Sequence, residues 1–518
     1  MSEATPVRSS RIENARVCGL TLLCGLLLIL AFPNFNLWPL AWIGLVPLLL
    51  AIAHNPAGRR AFFCGWFAGS AFFYTTCYWL TYSMIHYAGI SRWLAFGLLI
   101  PGALILGLFP ALFALALAHL IKRWGTFALL ASPPLWAALE WGRLSVTGQL
   151  WNALGYSQAF QPALIQVARW GGVYAVGFLM VSVNASIALA LCKRDARAAL
   201  TAALVLVVTV VVFILSHATP ALIVRSAAQP LLTVVALQPN VPMELDKSPQ
   251  EMQELLNRHL VESRKGLSAL NDDHSSRLVI WPESPMNFAY GQDPQLRDLL
   301  SRFAQQNQTS LLFNSQELAP DSGSYNSALL LNEEGRLVAQ YDKIRLMPFG
   351  EYVPLPRWLP GSKQVKAIVG GFAAGNRYTL MPVGPLRAGV FICIESAYPW
   401  IPRTFTAQGA DLLINISNDG YLGPTAVMKQ HLSNTIFRAV ENGRPLLRVT
   451  NTGITAYISP RGEVRDPTNG FQTAIRTWTI TTSANEDTFY ARHGDLFVTA
   501  CAVLSFLMMI LSFVRFKK

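Results

Sequence analysis

Val390-Phe391-Ile392-Cys393-Ile394-Glu395 is a β-branched and aromatic run that closes on a thiol and a carboxylate. It reads as a buried strand, Arg387–Ile394, carrying Cys393 at its end. Cys393 is the single cysteine of the polar stretch between Ala221 and His493; Cys18, Cys24, Cys64, Cys77, Cys192 and Cys501 lie in or beside long apolar runs. If that stretch faces an oxidising compartment, a thiol kept there asks for a chemical reason. A small buried hydrophobe is the other reading of a single cysteine, so its surroundings have to decide.

Outward from Cys393 the polar stretch alternates short β-rich runs with amphipathic ones. Leu231–Leu237, Leu278–Trp281 and Ser310–Phe313 read as strands, and Ala328–Leu331 and Arg336–Tyr341 flank Asn332–Gly335 as a hairpin. Leu412–Ile416 and Leu446–Val449 follow. Ser248–Leu267 has apolar residues at helical spacing (Met252, Leu255, Leu256, Leu260, Leu267), and Gln295–Gln306, Pro399–Gln408 and Thr425–Glu441 complete the helices. Such alternation predicts an α/β domain with sheets covered by helices.

The flanking sequence has another solvent in mind. Of 518 residues, 52% are apolar and only 14% charged, too apolar for a soluble protein of this size. Runs of spanning length occur at Val17–Phe32, Leu37–Ala53, Ala61–Thr81, Trp93–Ile121, Thr126–Trp141, Ala163–Leu191, Ala198–Ser216 and Leu496–Val514, about eight spans where ~20 apolar residues suffice. Basic residues cluster at alternate ends: Arg8, Arg11 and Arg16; Arg59 and Arg60; Lys122 and Arg123; Lys193, Arg194 and Arg197; Arg515, Lys517 and Lys518. This parity puts both termini in the cytoplasm and the Ala221–His493 stretch outside. It also accounts for most of the net charge of +12, which therefore implies no nucleic-acid partner. The eight histidines are scattered without ligand spacing, so no metal site is expected.

Three ionisable residues stand at predicted strand ends, where α/β folds place their sites. Glu283 follows Leu278–Trp281, Lys343 follows Tyr341-Asp342, and Cys393 ends its own strand. A base, a cation and a nucleophile are the parts of acyl transfer through a thioester. A thiol of pKa ~8.5 needs a base or cation nearby; Glu283 would take its proton, and Lys343 would hold the oxyanion. Glu351, in Pro348-Phe349-Gly350-Glu351-Tyr352, would keep Lys343 charged and oriented, and Glu395 is a second supporting carboxylate. Taken singly, each has a plainer reading as a helix cap, a turn residue or a solvated charge.

Glu283, Lys343 and Cys393 in that order resemble the nitrilase superfamily, whose catalytic Glu, Lys and Cys stand on an αββα sandwich. The resemblance is fuller to its integral membrane branch, the apolipoprotein N-acyltransferases. It runs over nearly the whole chain: Val46-Pro47-Leu48, Trp136 to Glu140, Trp151, Gly155-Tyr156-Ser157-Gln158, Tyr341-Asp342-Lys343 into Pro348–Pro354, Asp411–Asp419, Arg438–Pro445 and Thr450-Asn451-Thr452-Gly453. Departures fall at Ile394, where the family usually has an aromatic residue, at Tyr421-Leu422 in place of Trp-Phe, and at Gln238-Pro239, where Gly is more usual after Gln.

The resemblance implies a polytopic helical membrane domain (1–220), an extracytoplasmic α/β nitrilase-like αββα sandwich (221–493) and a final span (494–518). It implies an enzyme of the bacterial inner membrane, catalytic side to the periplasm, working as a monomer without cofactor. Its acyl donor would be a phospholipid, the sn-1 chain of phosphatidylethanolamine, and its acceptor the α-amino group of a diacylglyceryl-cysteine apolipoprotein. One rival is a membrane-tethered amidase using the same trio with water, which has no evident use for about eight spans. Another is a transporter or lipid scaffold, yet Glu140, Arg143 and Arg169 lie near span ends rather than within them. The Gly-, Pro- and aromatic-rich stretches Met347–Pro360 and Ile368–Ala374 suggest membrane-dipping lids.

Overall fold

The computed structural model describes residues 6–148, 150–218, 230–243, 247–270, 275–283, 285–320, 323–348, 350–352, 371–481 and 487–514, with the side chains of 6–12, 217, 218 and 230 excepted. Two compact units result: Met1–Leu222 with Thr425–Ser433 and His493–Lys518, and Ile223–Pro424 with Asn434–Arg492. Thr425–Ser433, which the sequence places in the α/β domain, thus groups with the helical unit.

The helical unit contains α1 (Pro6–Ala31), α2 (Val46–His54), α3 (Gly58–Thr76), α4 (Leu80–His86), α5 (Arg92–Trp124), α6 (Ser132–Thr147), α7 (Pro162–Ile165), α8 (Ala168–Lys193), α9 (Ala196–Ala218) and the last helix, Leu496–Phe513. Among the described residues five helices are long and apolar enough to cross a membrane: Glu13–Ala31, α5, α8, Ala196–Ser216 and the last. Three of the eight expected spans are built differently. Leu37–Ala53 breaks into a 3₁₀ turn, Trp38–Trp42, and the nine-residue α2, whose rise of about 14 Å is half of what a bilayer core needs. Ala61–Thr81 becomes α3, too polar along its 19 residues, followed by a turn and α4. Thr126–Trp141 begins as a 3₁₀ turn and turns α-helical only at Ser132, where Pro133 and Pro134 occupy the first turn and α6 runs on to Thr147; a missing N–H costs nothing there.

Buried polar side chains close these breaks. Asn184 on α8 accepts from Leu45 N (2.9 Å) and Val46 N (3.1 Å) and donates to Ala41 O (3.1 Å), satisfying donors that the start of α2 leaves open. Gln430 accepts from Trp79 Nε1 (3.0 Å) and Trp151 Nε1 (2.8 Å) and donates to Pro33 O (3.2 Å) and Thr76 O (2.9 Å). Helices α3 and α5 approach closely because Gly65 and Gly69 face Pro110: a Cβ on Gly65 would lie 2.3 Å from the Pro110 carbonyl oxygen, the small-residue packing that bilayer helices favour.

The second unit holds two sheets. The first runs β13-β1-β2-β3-β4-β5 with β6 beside β4, the second β12-β11-β10-β9-β8-β7. The strands are β1 (Pro230–Gln238), β2 (Ser276–Ile280), β3 (Ser310–Ala319), β4 (Gly323–Leu331), β5 (Leu337–Asp342), β6 (Phe372–Ala373), β7 (Leu380–Val383), β8 (Leu386–Ile392), β9 (Leu412–Ser417), β10 (Leu446–Thr450), β11 (Ala456–Ile458), β12 (Val464–Arg465) and β13 (Ala474–Thr481). Each sheet has three parallel central strands, β1-β2-β3 and β8-β9-β10, with antiparallel neighbours outside them. The sheets lie against each other through β1 and β10, β4 and β8, and β5 and β7.

Helices α10 (Pro249–Ser268) and α11 (Pro294–Asn307) cover the first sheet; α12 (Trp400–Ala407) lies on β8 of the second, and α13 (Val427–Asn442) completes the labelled helices. Leu256, Leu260, Leu296, Leu300 and Phe303 pack on Val235, Val279, Leu311, Phe313 and Leu329 in one buried cluster, the outer layer of an αββα sandwich. Helix α10 starts on a capping box: Ser248 Oγ accepts from Glu251 N and Glu251 Oε2 from Ser248 N, worth about 1 kcal/mol. Five strands escape the sequence reading: β6, β7, β11, β12 and β13. Four of them are two to four residues long, too short to show a period, while β13 alternates over Thr477–Thr481, with Trp478 and Ile480 buried, a signal the reading passed over.

Candidate active site

All three residues expected at strand ends are there. Glu283 lies three residues beyond β2, Lys343 directly follows β5, and Cys393 directly follows β8, opening the 3₁₀ turn Cys393–Ala397. Trp281, 1% exposed and bonded through Nε1 to Ser263 Oγ on α10 (2.9 Å), fixes the strand end from which Glu283 projects. Cys393 has φ of 53°. A non-glycine residue in this left-handed region costs roughly 1–3 kcal/mol, and the turn ends the strand at the thiol-bearing residue.

The first sheet's residues meet around one ammonium. Lys343 Nζ lies 2.9 Å from Glu351 Oε1 and 3.3 Å from Glu283 Oε1, with Lys343 1% exposed. Asn326 on β4 donates through Nδ2 to both carboxylates, 2.8 Å to Glu283 Oε1 and 2.6 Å to Glu351 Oε1. It is oriented by Asn314, whose Nδ2 reaches Asn326 Oδ1 at 2.8 Å. Glu283 Oε2 accepts the backbone N–H of Asn418 (3.1 Å), and Glu351 Oε2 that of Met347 (2.7 Å).

Electrostatics follow from this arrangement. Burial works against the Lys343 ammonium, but Glu283 and Glu351 outweigh it and hold its pKa well above the lysine range. Burial pushes the Cys393 thiol up, the Glu283 carboxylate adds to this, and Lys343 opposes it. Burial and Glu283 thus favour the thiol of Cys393 over its thiolate. Burial also raises Tyr421, with Glu283 and Glu351 adding.

The two supporting carboxylates do different work. Glu351 contacts the lysine. Glu395 is fully buried and gathers backbone donors instead: Ile392 N (2.7 Å), Ile344 N (2.7 Å), Arg345 N (3.0 Å) and the Tyr341 hydroxyl (2.8 Å). It thereby ties the turn at Cys393 to the segment after Lys343, one sheet to the other. Burial raises it to about 7 against the pull of those N–H groups. Of the expected lids, 349 and 353–370 lie outside the described residues; Pro348 bridges to Tyr352, and Phe372–Ala373 is β6.

Sequence reasoning did not single out Asn326 and Asn418, which bond Glu283, nor Asn415, which bonds the Cys393 carbonyl, and its partner Arg448. Asn326 is buried on β4 between Tyr325 and Ser327, and Asn415 and Arg448 interrupt the largely apolar, buried strands β9 and β10; a polar residue inside such a strand was the available signal.

Residues 231–484 match the family model described as carbon-nitrogen hydrolase, which defines the class of the α/β unit and agrees with its two covered sheets. Residues 24–186 match the apolipoprotein N-acyltransferase N-terminal domain. The apolipoprotein N-acyltransferase of Geobacter metallireducens is 33% identical over 96% of this chain and 95% of its own. That of Chlorobaculum tepidum is 28% identical over 96% of both, and that of Rhizobium meliloti 32% identical over 85% of both. The chain belongs to the apolipoprotein N-acyltransferase family, and it is an enzyme. Among solved structures, an amidase from Nesterenkonia sp. AN1 aligns with 52% of this chain and 96% of its own at 17% identity, TM-score 0.38.

Proposed function

We propose that the chain transfers an acyl chain from a phospholipid, through a thioester on Cys393, to the α-amino group of a diacylglyceryl-cysteine apolipoprotein. The observation that carries this is the Lys343 ammonium held between Glu283 and Glu351, all three acting electrostatically on the Cys393 thiol. In the first half-reaction Cys393 Sγ attacks the sn-1 ester carbonyl of phosphatidylethanolamine while Glu283 takes the thiol proton. Lys343 faces the tetrahedral oxyanion. Collapse breaks the ester C–O bond, and the proton on Glu283 passes to the leaving alkoxide, giving lysophospholipid and acyl-enzyme. In the second, the acceptor amine attacks the thioester, Glu283 takes the amine proton, and collapse returns it to the Cys393 sulfur.

A thiol that rests protonated suits this division: little thiolate is exposed between turnovers, and the base acts only when an electrophile is in place. Glu351 keeps Lys343 positioned for the oxyanion, and Glu395 holds the nucleophile's turn. The working division is a membrane domain over 1–220, the catalytic domain over 221–493 and a final span over 494–518. The distribution of Lys and Arg favours cytoplasmic termini and a periplasmic catalytic domain in the bacterial inner membrane. One chain carries all five site residues, so a monomer suffices.

The test is intact mass after incubation with phosphatidylethanolamine, then a chase with a diacylglyceryl-cysteine peptide, Cys393→Ala serving as control. A hydroxylamine-sensitive adduct at Cys393 that moves to the peptide amine is expected. An adduct discharged only by water would make the enzyme a hydrolase; transfer surviving in Cys393→Ala would overturn the nucleophile.

A further inference from the structure

Arg448 on β10 is completely buried, and its guanidinium forks. One arm donates to Asn415 Oδ1 at 2.6 Å; Asn415 in turn donates through Nδ2 to the carbonyls of Phe391 (3.2 Å) and Cys393 (3.4 Å). The other arm donates to Asp419 Oδ2 at 2.9 Å. Asp419 follows directly on Asn418, whose N–H reaches Glu283. A single cation thus stands one residue away from the nucleophile's own carbonyl and one residue away from the donor that holds the base.

Charge links it to the same place. Asp419 is among the carboxylates that disfavour thiolate at Cys393, after burial, Glu283 and the opposing Lys343. Asp419 is 1% exposed, and a Cβ at position 453 would stand 2.1 Å from its Oδ2; Gly453 makes room for the carboxylate where it is. Burying an ion pair costs several kcal/mol in desolvation, so apolar residues of like volume would serve stability as well or better. A buried Arg448–Asp419 pair therefore points to a role other than stability.

We propose that Arg448 is a positioning residue of the acyl-transfer site: it neutralises Asp419 beside the thiol and, through Asn415 and the 418–419 turn, holds the nucleophile's backbone and the base's N–H donor in one register. This rests on Cys393 and Glu283 being nucleophile and base. The fork matters because a guanidinium can serve two acceptors in fixed geometry, which an ammonium on a flexible stem cannot.

The experiment measures two quantities on the purified full-length chain: iodoacetamide labelling of Cys393, read by peptide mass with an added cysteine-containing peptide as reference, and acyl transfer from phosphatidylethanolamine. In Arg448→Met, labelling of Cys393 falls about tenfold, one pKa unit's worth of thiolate. Asp419→Asn does not slow labelling, and the double variant returns to within about threefold of wild type, while acyl transfer stays at least about tenfold down in all three. Arg448→Lys keeps the cation and loses the fork, so it labels at nearly the wild-type rate but transfers poorly. A merely structural arginine predicts otherwise: Arg448→Met and Asp419→Asn slow labelling alike, with no recovery in the double variant, and that result overturns the proposal. Should Arg448→Met not fold, slowed labelling in both Asp419→Asn and Arg448→Lys overturns it equally. Acyl transfer surviving in Cys393→Ala would instead remove the underlying reading, a separate outcome.

Discussion

Lys343 sits where three demands meet: two carboxylates to balance, an amide to share them with, and a thiol to face. Lys343→Met leaves Glu283 and Glu351 to share Asn326 without a cation. We expect acyl transfer to fall about 10²–10³-fold, as when one oxyanion donor is lost, and stability by about 3–5 kcal/mol; single-turnover acylation and thermal unfolding in detergent measure each. Wild-type transfer without Lys343 would refute its role. Glu395 gives a pH signature. Its pKa is raised from 4.5 to about 7 by burial, so between those values the native state binds more protons than the unfolded one. Its contribution is therefore full below pH 4.5 and is lost as pH rises through about 7. Glu395→Gln should remove this slope, and at neutral pH should cost about 1–3 kcal/mol because an NH₂ then faces N–H donors. Unfolding midpoints of both proteins across pH 4.5–8 decide it; parallel curves would count against the assignment.

At the scale of elements, the site is made where strands stop. The strand ends of β2, β5 and β8 could be read from short β-rich runs, and with them Glu283, Lys343 and Cys393. The left-handed turn at Cys393 could not, because a positive φ on a cysteine has no local sequence signal. Helix α10 carries a second titration. His259 is fully buried, stands 5.0 Å from the Trp281 ring, and donates through Nδ1 to Leu255 O at 2.7 Å; burial lowers it to about 4, the Leu255 carbonyl opposing. Here the native state binds fewer protons than the unfolded one between pH 6.5 and 4, so stability is complete above 6.5 and falls by about 3 kcal/mol as pH drops through that window. His259→Phe should flatten this acid limb, seen as unfolding midpoints that no longer drop between pH 6.5 and 4. An unchanged drop would mean that other groups cause it.

For the whole molecule, apolar run length is a weaker guide than it looks. Leu37–Ala53 is as apolar as a span, yet it divides because Pro39 and Pro47 interrupt it and Asn184, far along the chain, supplies the hydrogen bonds that the break exposes. The parity of Lys and Arg still makes a definite topology prediction. A green fluorescent protein fused after Lys518 should fluoresce, and alkaline phosphatase fused there should stay inactive. The reverse pair of results would place the C-terminus outside and invert the proposed orientation.

By itself the sequence determined what depends on order and on local composition: a membrane part and an α/β part, most strands and helices of the latter, and the Glu283, Lys343 and Cys393 set at strand ends. Only the tertiary structure decided which polar groups complete them. Asn326, Asn418, Asn415 and Arg448 act across strands, and Gln430 joins Pro33, Thr76, Trp79 and Trp151. A hydrogen bond between residues distant in the chain leaves no periodic trace, because its partner is chosen by packing rather than by neighbours in sequence.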